Sequence, residues 1–283
     1  MDHFDKPILN GYTRTSINNV PAWTSSDLEK IYNTVSSISN DVARNTRWGS
    51  EENTDAWVMS VFNFKKEGTF IEGGASGRSN TWNLENALNW RGVCVEPNIH
   101  SYKHLLRESI FQGPRKNVIN KCLYSHNNLV DFWELREEAV VEEISILTPD
   151  DHWNAAELSC VDGKVRGSSH AAYLEKYGCI VKKECITLEK VIVDYGLPNT
   201  IDFMHLDIEN CEADVFSVFP FDKYKFSIMC IEDGIAHHDF LIEKDYHLVQ
   251  NTLYPYRPYI DYYYAHSSTF DLYPLVKLDI DSL

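Results

Sequence analysis

The chain has no apolar run near the roughly 20 residues needed to cross a bilayer as a helix. Its first residues, MDHFDKPILNGYTRTS, show no basic stretch followed by an apolar one. No membrane span and no secretory leader are therefore expected, and the expected location is the cytoplasm. Basic residues are scarce: 26 Lys and Arg stand against 42 Asp and Glu, a formal net charge of −16. Nucleic acid and anionic membranes are bound through clustered Lys and Arg, so neither is expected as a partner. The acid is spread along the chain and reads as a solvated surface. CxxC is absent. The seven cysteines (Cys94, Cys122, Cys160, Cys179, Cys185, Cys211 and Cys230) are odd in number, and several sit in apolar runs such as GVCVE and IMCIE. That pattern fits buried thiols in a reducing compartment better than a disulfide framework or a zinc site. Internal repeats, low-complexity tracts and heptads are absent as well.

What is present is alternation. After a polar arm, Leu28, Ile31, Tyr32, Val35, Ile38 and Val42 recur at helical spacing, and a second helix fits Thr54 to Phe64. Strands are predicted at 68–72, 92–96 and 118–123, with a short element at 129–133. Helices are predicted at 80–89 and 100–108. Residues 136–180 are polar and loop-rich and read as an insertion. Strands at 183–186, 201–207 and 226–232 then alternate with helices at 187–195, 211–218 and 241–245. The segments 246–252 and 259–264 read as a closing antiparallel pair. Such alternation indicates α/β construction around a mostly parallel sheet with helices on both faces.

Three strands end on a carboxylate, Ile71-Glu72, Val95-Glu96 and Leu206-Asp207, and a fourth ends Ile231-Glu232-Asp233. In open α/β sheets, ligands bind outside the carboxyl ends of the strands. The first of these strands runs into a glycine-rich turn, FIEGGASGRSNTWNLE. Glu96 lies 22 residues after Gly74, the spacing at which an acid accepts hydrogen bonds from ribose hydroxyls. Yet neither GxGxxG nor GxxxxGK[ST] is present, and Glu72 at the mouth of the turn would repel a pyrophosphate. A ligand with a ribose, a cationic amino end and no phosphate is S-adenosylmethionine.

The stretch FIEGGASGRSNTWNLENALNWRGVCVEPN resembles the first two motifs of the FkbM-type methyltransferases. ITLEKVIVDYGLPNTIDFMHLDIENCEADVFSVFPFD resembles the later Asp-x-Glu segment of that family, and KDYHLVQN with YIDYYYAH resembles its closing hairpin. The likeness runs from about residue 48 to about 265 and implies a Rossmann-like, class I methyltransferase fold. Residues 1–47 would form an arm and covering helix, and 48–283 the methyltransferase domain. The resemblance implies S-adenosylmethionine as cofactor and O-methylation of a sugar, glycan or small natural product. It assigns Glu72, Gly74, Ala75 and Ser76 to the methionine part of the cofactor, and Asn80 and Thr81 to the helix opening beneath it. Glu96 would hold the ribose, Pro97 would shape the adenine pocket, and Leu123, Tyr124 and Ser125 would line the adenine ring. Asp207 and Glu209 would stand near the transferred methyl. Two positions depart from the family pattern: Ser76-Gly77-Arg78 shortens the turn, and Asn210 stands where glycine is usual.

Two routes to the proton of an acceptor hydroxyl fit the sequence. In one, Asp207 or a histidine (His205, His237 or His238) is the base. In the other, Asp207, Glu232 and Asp233 hold magnesium, which hard carboxylates favour over zinc. The tyrosines 254, 256, 259 and 262–264 fit a sugar platform or core packing equally well. The insertion, with His152, Trp153 and His170, fits a lid by position. A non-catalytic binding protein on the same fold and a nucleotide-dependent Rossmann enzyme are the rival readings.

Overall fold

The computed structural model describes residues 16–17, 20–21, 50, 54–76, 79–107, 113–135, 160–161, 177–251 and 261–269. The predicted helix at 28–42, Gly77, Arg78, most of the 136–180 insertion, and Tyr254, Tyr256 and Tyr259 lie outside them. A short ribbon pairs Ser16–Ile17 with Val20–Pro21. The elements that follow are α1 (Thr54–Val61), β1 (Thr69–Gly73), α2 (Trp82–Asn86), β2 (Arg91–Val95), α3 (Ile99–Leu105), β3 (Val118–Ile119), β4 (Cys122–Leu123), β5 (Leu129–Leu135) and β6 (Cys160–Val161). Then come β7 (Gly178–Ile186), α4 (Leu188–Asp194), β8 (Thr200–Leu206), α5 (Glu212–Val218), β9 (Lys225–Glu232), α6 (His238–Glu243), β10 (Tyr246–Asn251) and β11 (Asp261–His266).

Seven strands form the main sheet in the order β10-β11-β9-β8-β1-β2-β3. β1 pairs in parallel with β2 on one side and β8 on the other, and β9 continues the parallel set. β11 runs antiparallel to β9, and β10 antiparallel to β11. The chain builds outward from β1 to β3 and later resumes on β1's other side. That reversal of strand order places the topological switch point at the carboxyl ends of β1 and β8, where open α/β sheets bind ligands.

Both faces of the sheet are covered, so its strands read as nearly continuous apolar runs. Ile71, Val93, Met204, Met229 and Tyr264 pack on one face against Val191 and Ile192 of α4 and Val215 and Phe216 of α5. Phe70, Cys94, Phe203, Ile228 and Tyr263 pack on the other against Trp57 and Val58 of α1 and Leu84 of α2. Burying each such side chain contributes roughly 1.5–3 kcal/mol. Helix starts are held locally. Asn98 accepts from the amides of His100 (2.9 Å) and Ser101 (3.1 Å), and the Thr187 hydroxyl accepts from Lys190 (3.3 Å).

A second sheet, in the order β4-β7-β5-β6, differs from expectation. The strand expected at 118–123 divides into β3, which pairs with β2, and β4, which pairs with β7. The division falls at Asn120, whose Nδ2 donates to the carbonyls of Glu96 (2.8 Å) and Pro97 (2.9 Å) and ties the chain to the end of β2. β7 begins at Gly178, inside the stretch expected to be loop, and pairs antiparallel with β5 along its length. Its outward residues Ile180, Lys182 and Glu184 are exposed, so its alternation is polar and weak as a strand signal. Lys182 pairs with Asp131 at 2.5 Å across the ladder.

Candidate functional site

Side chains in register on neighbouring strands share a face of the sheet. Cys94, Glu72, His205, Cys230 and Tyr263 form one such row across β2, β1, β8, β9 and β11. Beyond the strand ends the ladder continues for one rung: Gly74 donates to Val95 (2.9 Å), Glu96 to Ile119 (2.9 Å) and Asp207 to Gly73 (3.1 Å). Alternation then brings Glu96, Asp207, Glu232 and Asp261 to the same face, one row further out. The carboxyl edge of the sheet thus carries a row of acids at the switch point.

Glu72 is one row further in than expected. It is fully buried rather than at the mouth of the turn. Its carboxylate accepts from the Ser79 hydroxyl (2.5 Å), the Asn80 amide (2.5 Å) and the Thr81 hydroxyl (2.5 Å). Arg115, itself buried, donates to Ser79 Oγ and Thr81 Oγ1, each at 2.7 Å, and its Nε lies 3.3 Å from Glu85. With both oxygens engaged this way, Glu72 anchors the segment that opens α2. Thr81 occupies the N-cap position of α2 but makes no side-chain cap bond there.

Gly74 is required by both conformation and space. Its φ is +72°, and a Cβ built on it would stand 1.6 Å from the Asp207 carbonyl oxygen. Only glycine lets the turn lie against the chain after β8. Ala75 is buried in the core beside it, and Ser76 takes a φ of +45° and donates its amide to Glu96 Oε2 at 2.8 Å. Glu96 also accepts from the Asn98 amide at 2.7 Å. Burial pushes the Glu96 carboxyl up to about 7, against the two amide donors and the nearby Lys183 ammonium. Lys183 arrives from β7, where it pairs with Glu134 at 3.3 Å. The second sheet thus places a cation beside the expected ribose acid.

Pro97 is half-buried, Leu123 and Tyr124 are buried, and Ser125 is half-buried. Leu123 belongs to the main core beside Gly73, whereas Tyr124 stands edge-on to His126 with ring centroids 5.1 Å apart. Asp207, Glu209 and Glu232 are half-buried, with one carboxylate oxygen of each within 4.8 Å of the others. Glu209 here takes the place expected for Asp233, which is outside the trio. Asp233 adopts a left-handed φ of 51° and leads into the turn Gly234–His237. Glu209 (φ 54°) and Asn210 (φ 68°) are left-handed too, and Glu212 accepts from the Ile208 amide at 3.1 Å. Asparagine tolerates that geometry better than most residues.

His205 is 2 % exposed, and its Nε2 lies 3.0 Å from Asn80 Nδ2. Burial lowers its pKa, against the pull of Glu72 and Glu232. The other histidine candidates belong elsewhere. His237 stands edge-on to Phe216, and His238 Nδ1 contacts the Tyr264 hydroxyl at 3.3 Å. Tyr262, Tyr263 and Tyr264 are buried, with Tyr263 against Trp57 (4.5 Å) and bonded to Thr54 Oγ1 (2.9 Å), so they pack the core. Sequence reasoning missed Arg115, Ser79, Lys183 and Asn120. Ser79 could have been found as the first residue of Ser-Asn-Thr; the other three carry no local pattern.

No curated protein matches the chain. The family model described as the methyltransferase FkbM domain matches residues 68–250, which run from just before β1 into β10 and take in the glycine turn and Glu96, Asp207 and Glu232 of the row of acids. That match covers well over half of the 283 residues, and the chain belongs to the FkbM methyltransferase family.

Proposed function

We propose that this methyltransferase uses S-adenosylmethionine to methylate a hydroxyl of a sugar or another small hydroxylated acceptor. The carrying observation is Glu96, a buried carboxylate at the end of β2 that grips the glycine turn through the Ser76 amide. An acid there suits a ribose diol, and a site edged by Asp207, Glu232 and Asp261 suits a cationic sulfonium and repels phosphate. Gly74, Ala75 and Ser76 present backbone to the methionine portion, while Glu72 acts through Ser79, Asn80 and Thr81. Pro97, Leu123, Tyr124 and Ser125 face the adenine.

Methyl transfer is an in-line displacement: the acceptor oxygen bonds to the methyl carbon as the carbon–sulfur bond breaks, and the hydroxyl proton leaves to a base. Asp207, at the switch point beside the glycine turn, takes that proton. Glu209 and Glu232 hold further acceptor hydroxyls, and His205 lines the floor beneath. Magnesium draws on nothing beyond the closeness of three acids.

Titration calorimetry with S-adenosylmethionine and its demethylated product tests the cofactor. Micromolar binding that Glu96→Ala weakens is expected, and no binding to the wild-type chain would sink the reading. Screening hydroxylated glycans and small metabolites for methyl uptake, with and without chelator, then tests acceptor class and metal independence.

A further inference from the structure

Below the acidic edge, three ligand types from three strands converge. His205 of β8, Cys230 of β9 and Asp261 of β11 each place one donor atom within 4.8 Å of the other two. From this convergence we infer that His205, Cys230 and Asp261 form a binding site for a divalent transition-metal ion of the zinc class. The inference goes beyond methyl transfer and does not depend on it.

Three observations support it. All three side chains sit on strands of the main sheet and are at most 9 % exposed, so the site is held rigidly and shielded from bulk water. The second is the state of His205. Its Nδ1 and the Asn80 Oδ1 are both buried without a hydrogen bond among the described residues, while Asn80 Nδ2 lies 3.0 Å from His205 Nε2. A half-turn of the Asn80 amide lets Nε2–H donate to Oδ1. That gives Oδ1 a donor, moves Nδ2 into the place Oδ1 held, and leaves Nδ1 as a bare lone pair. Metal-ligating histidines are oriented in this way by a carbonyl on the opposite ring nitrogen. The third is placement. Glu232 is the register partner of Asp261 on the same face, one row out from Cys230, so the strands bring further oxygen donors to the edge of the site.

The ligand set selects the metal. A thiolate, an imidazole and a carboxylate suit zinc and its neighbours, whereas magnesium and calcium require oxygen ligands. Three protein ligands leave a fourth position for water or a small ligand. Binding forms a metal–sulfur bond and releases the Cys230 thiol proton to solvent.

The test uses the full chain, treated with chelator and titrated with cobalt(II) and then zinc. One equivalent of cobalt is expected to bind and to produce a near-ultraviolet thiolate-to-cobalt band that zinc abolishes. Cys230→Ser should lose the band, and Asn80→Ala should weaken binding about 10–100-fold. Asp233→Asn should bind like the wild type. Cobalt bound without a thiolate band, or no stoichiometric binding, overturns the site. If Cys230→Ser does not fold, Asp261→Asn and the effect of zinc on wild-type Tm decide. Zinc must raise Tm and Asp261→Asn must reduce the rise; an unchanged Tm overturns the inference.

Discussion

Glu96 gives the sharpest quantitative test. Burial raises its carboxyl from 4.5 to about 7. Below pH 4.5 the acid is protonated in both folded and unfolded chains and carries no ionisation penalty. As pH rises from about 4.5 to about 7, the unfolded chain ionises first and the fold loses stability. At 1.36 kcal/mol per pKa unit, the loss approaches about 3 kcal/mol and then levels off. Comparison with Glu96→Gln isolates this effect, because the amide cannot ionise and all other groups titrate alike in both proteins. Denaturant unfolding from pH 4.5 to 8 should show the wild type losing about 3 kcal/mol relative to the variant.

On the proposed reading of Glu96 as the ribose acceptor, the same ionisation should control ligand binding. A ribose diol donates hydrogen bonds, and only the ionised carboxylate accepts two of them freely. With a value of about 7, roughly one-tenth of Glu96 is ionised at pH 6 and nine-tenths at pH 8. Affinity for the demethylated cofactor should therefore rise about tenfold between those values in the wild type, with proton release at pH 6. Glu96→Gln should bind more weakly at pH 8, and the tenfold rise should disappear. Parallel pH curves for the two proteins, in stability and in affinity, would mean that Glu96 titrates as an ordinary surface acid and is not the ribose acceptor.

Further substitutions probe the surrounding architecture. Gly74→Ala brings a methyl against the Asp207 carbonyl at a positive φ and should cost about 3 kcal/mol or more by thermal melting. Gly196→Ala is the control, since φ is +58° there but nothing lies within 4 Å, and it should cost only about 1–2 kcal/mol. Arg115→Met strips the cation from Glu85 and from the hydroxyls that hold Glu72; the loss expected is roughly 3–5 kcal/mol, read by denaturant unfolding. Asp207→Asn should abolish methyl transfer while calorimetry still detects cofactor, and turnover at the wild-type rate would remove Asp207 from the role of base.

The main sheet was legible because its strands are buried on both faces and separated by helices, which produces apolar runs at βαβ spacing. The second sheet was not. β5 and β7 pair antiparallel with a half-exposed face, and their outward positions hold Asp131, Lys182 and Glu184, which read as loop. A strand stabilised by a partner some fifty residues away leaves little local signal. Arg115 shows the same limit at a single residue. GPRKN looks like a solvated turn, and only the tertiary placement of Ser79, Thr81 and Glu85 makes its third residue a buried cation.

For the site, the sequence placed acids at the ends of consecutive strands but could not distinguish their rungs, and the rung decides the chemistry. Glu72 and Glu96 both follow an apolar strand. Glu72 is paired with Cys94 inside the sheet, where it meets Ser79, Asn80 and Thr81. Glu96 lies one rung beyond, where its partners are two loop amides. One row apart on the same face, the first acid is consumed in holding the turn and the second is raised toward neutrality and available to a ligand. Arg115 explains the division. A buried carboxylate ringed by three donors, two of them hydroxyls held by a guanidinium, has its acceptor sites filled, whereas among the described residues Glu96 has backbone donors and the nearby Lys183. On the proposed reading, that difference leaves Glu96 rather than Glu72 to accept from a ribose, and the pH dependence of affinity in Glu96→Gln tests it.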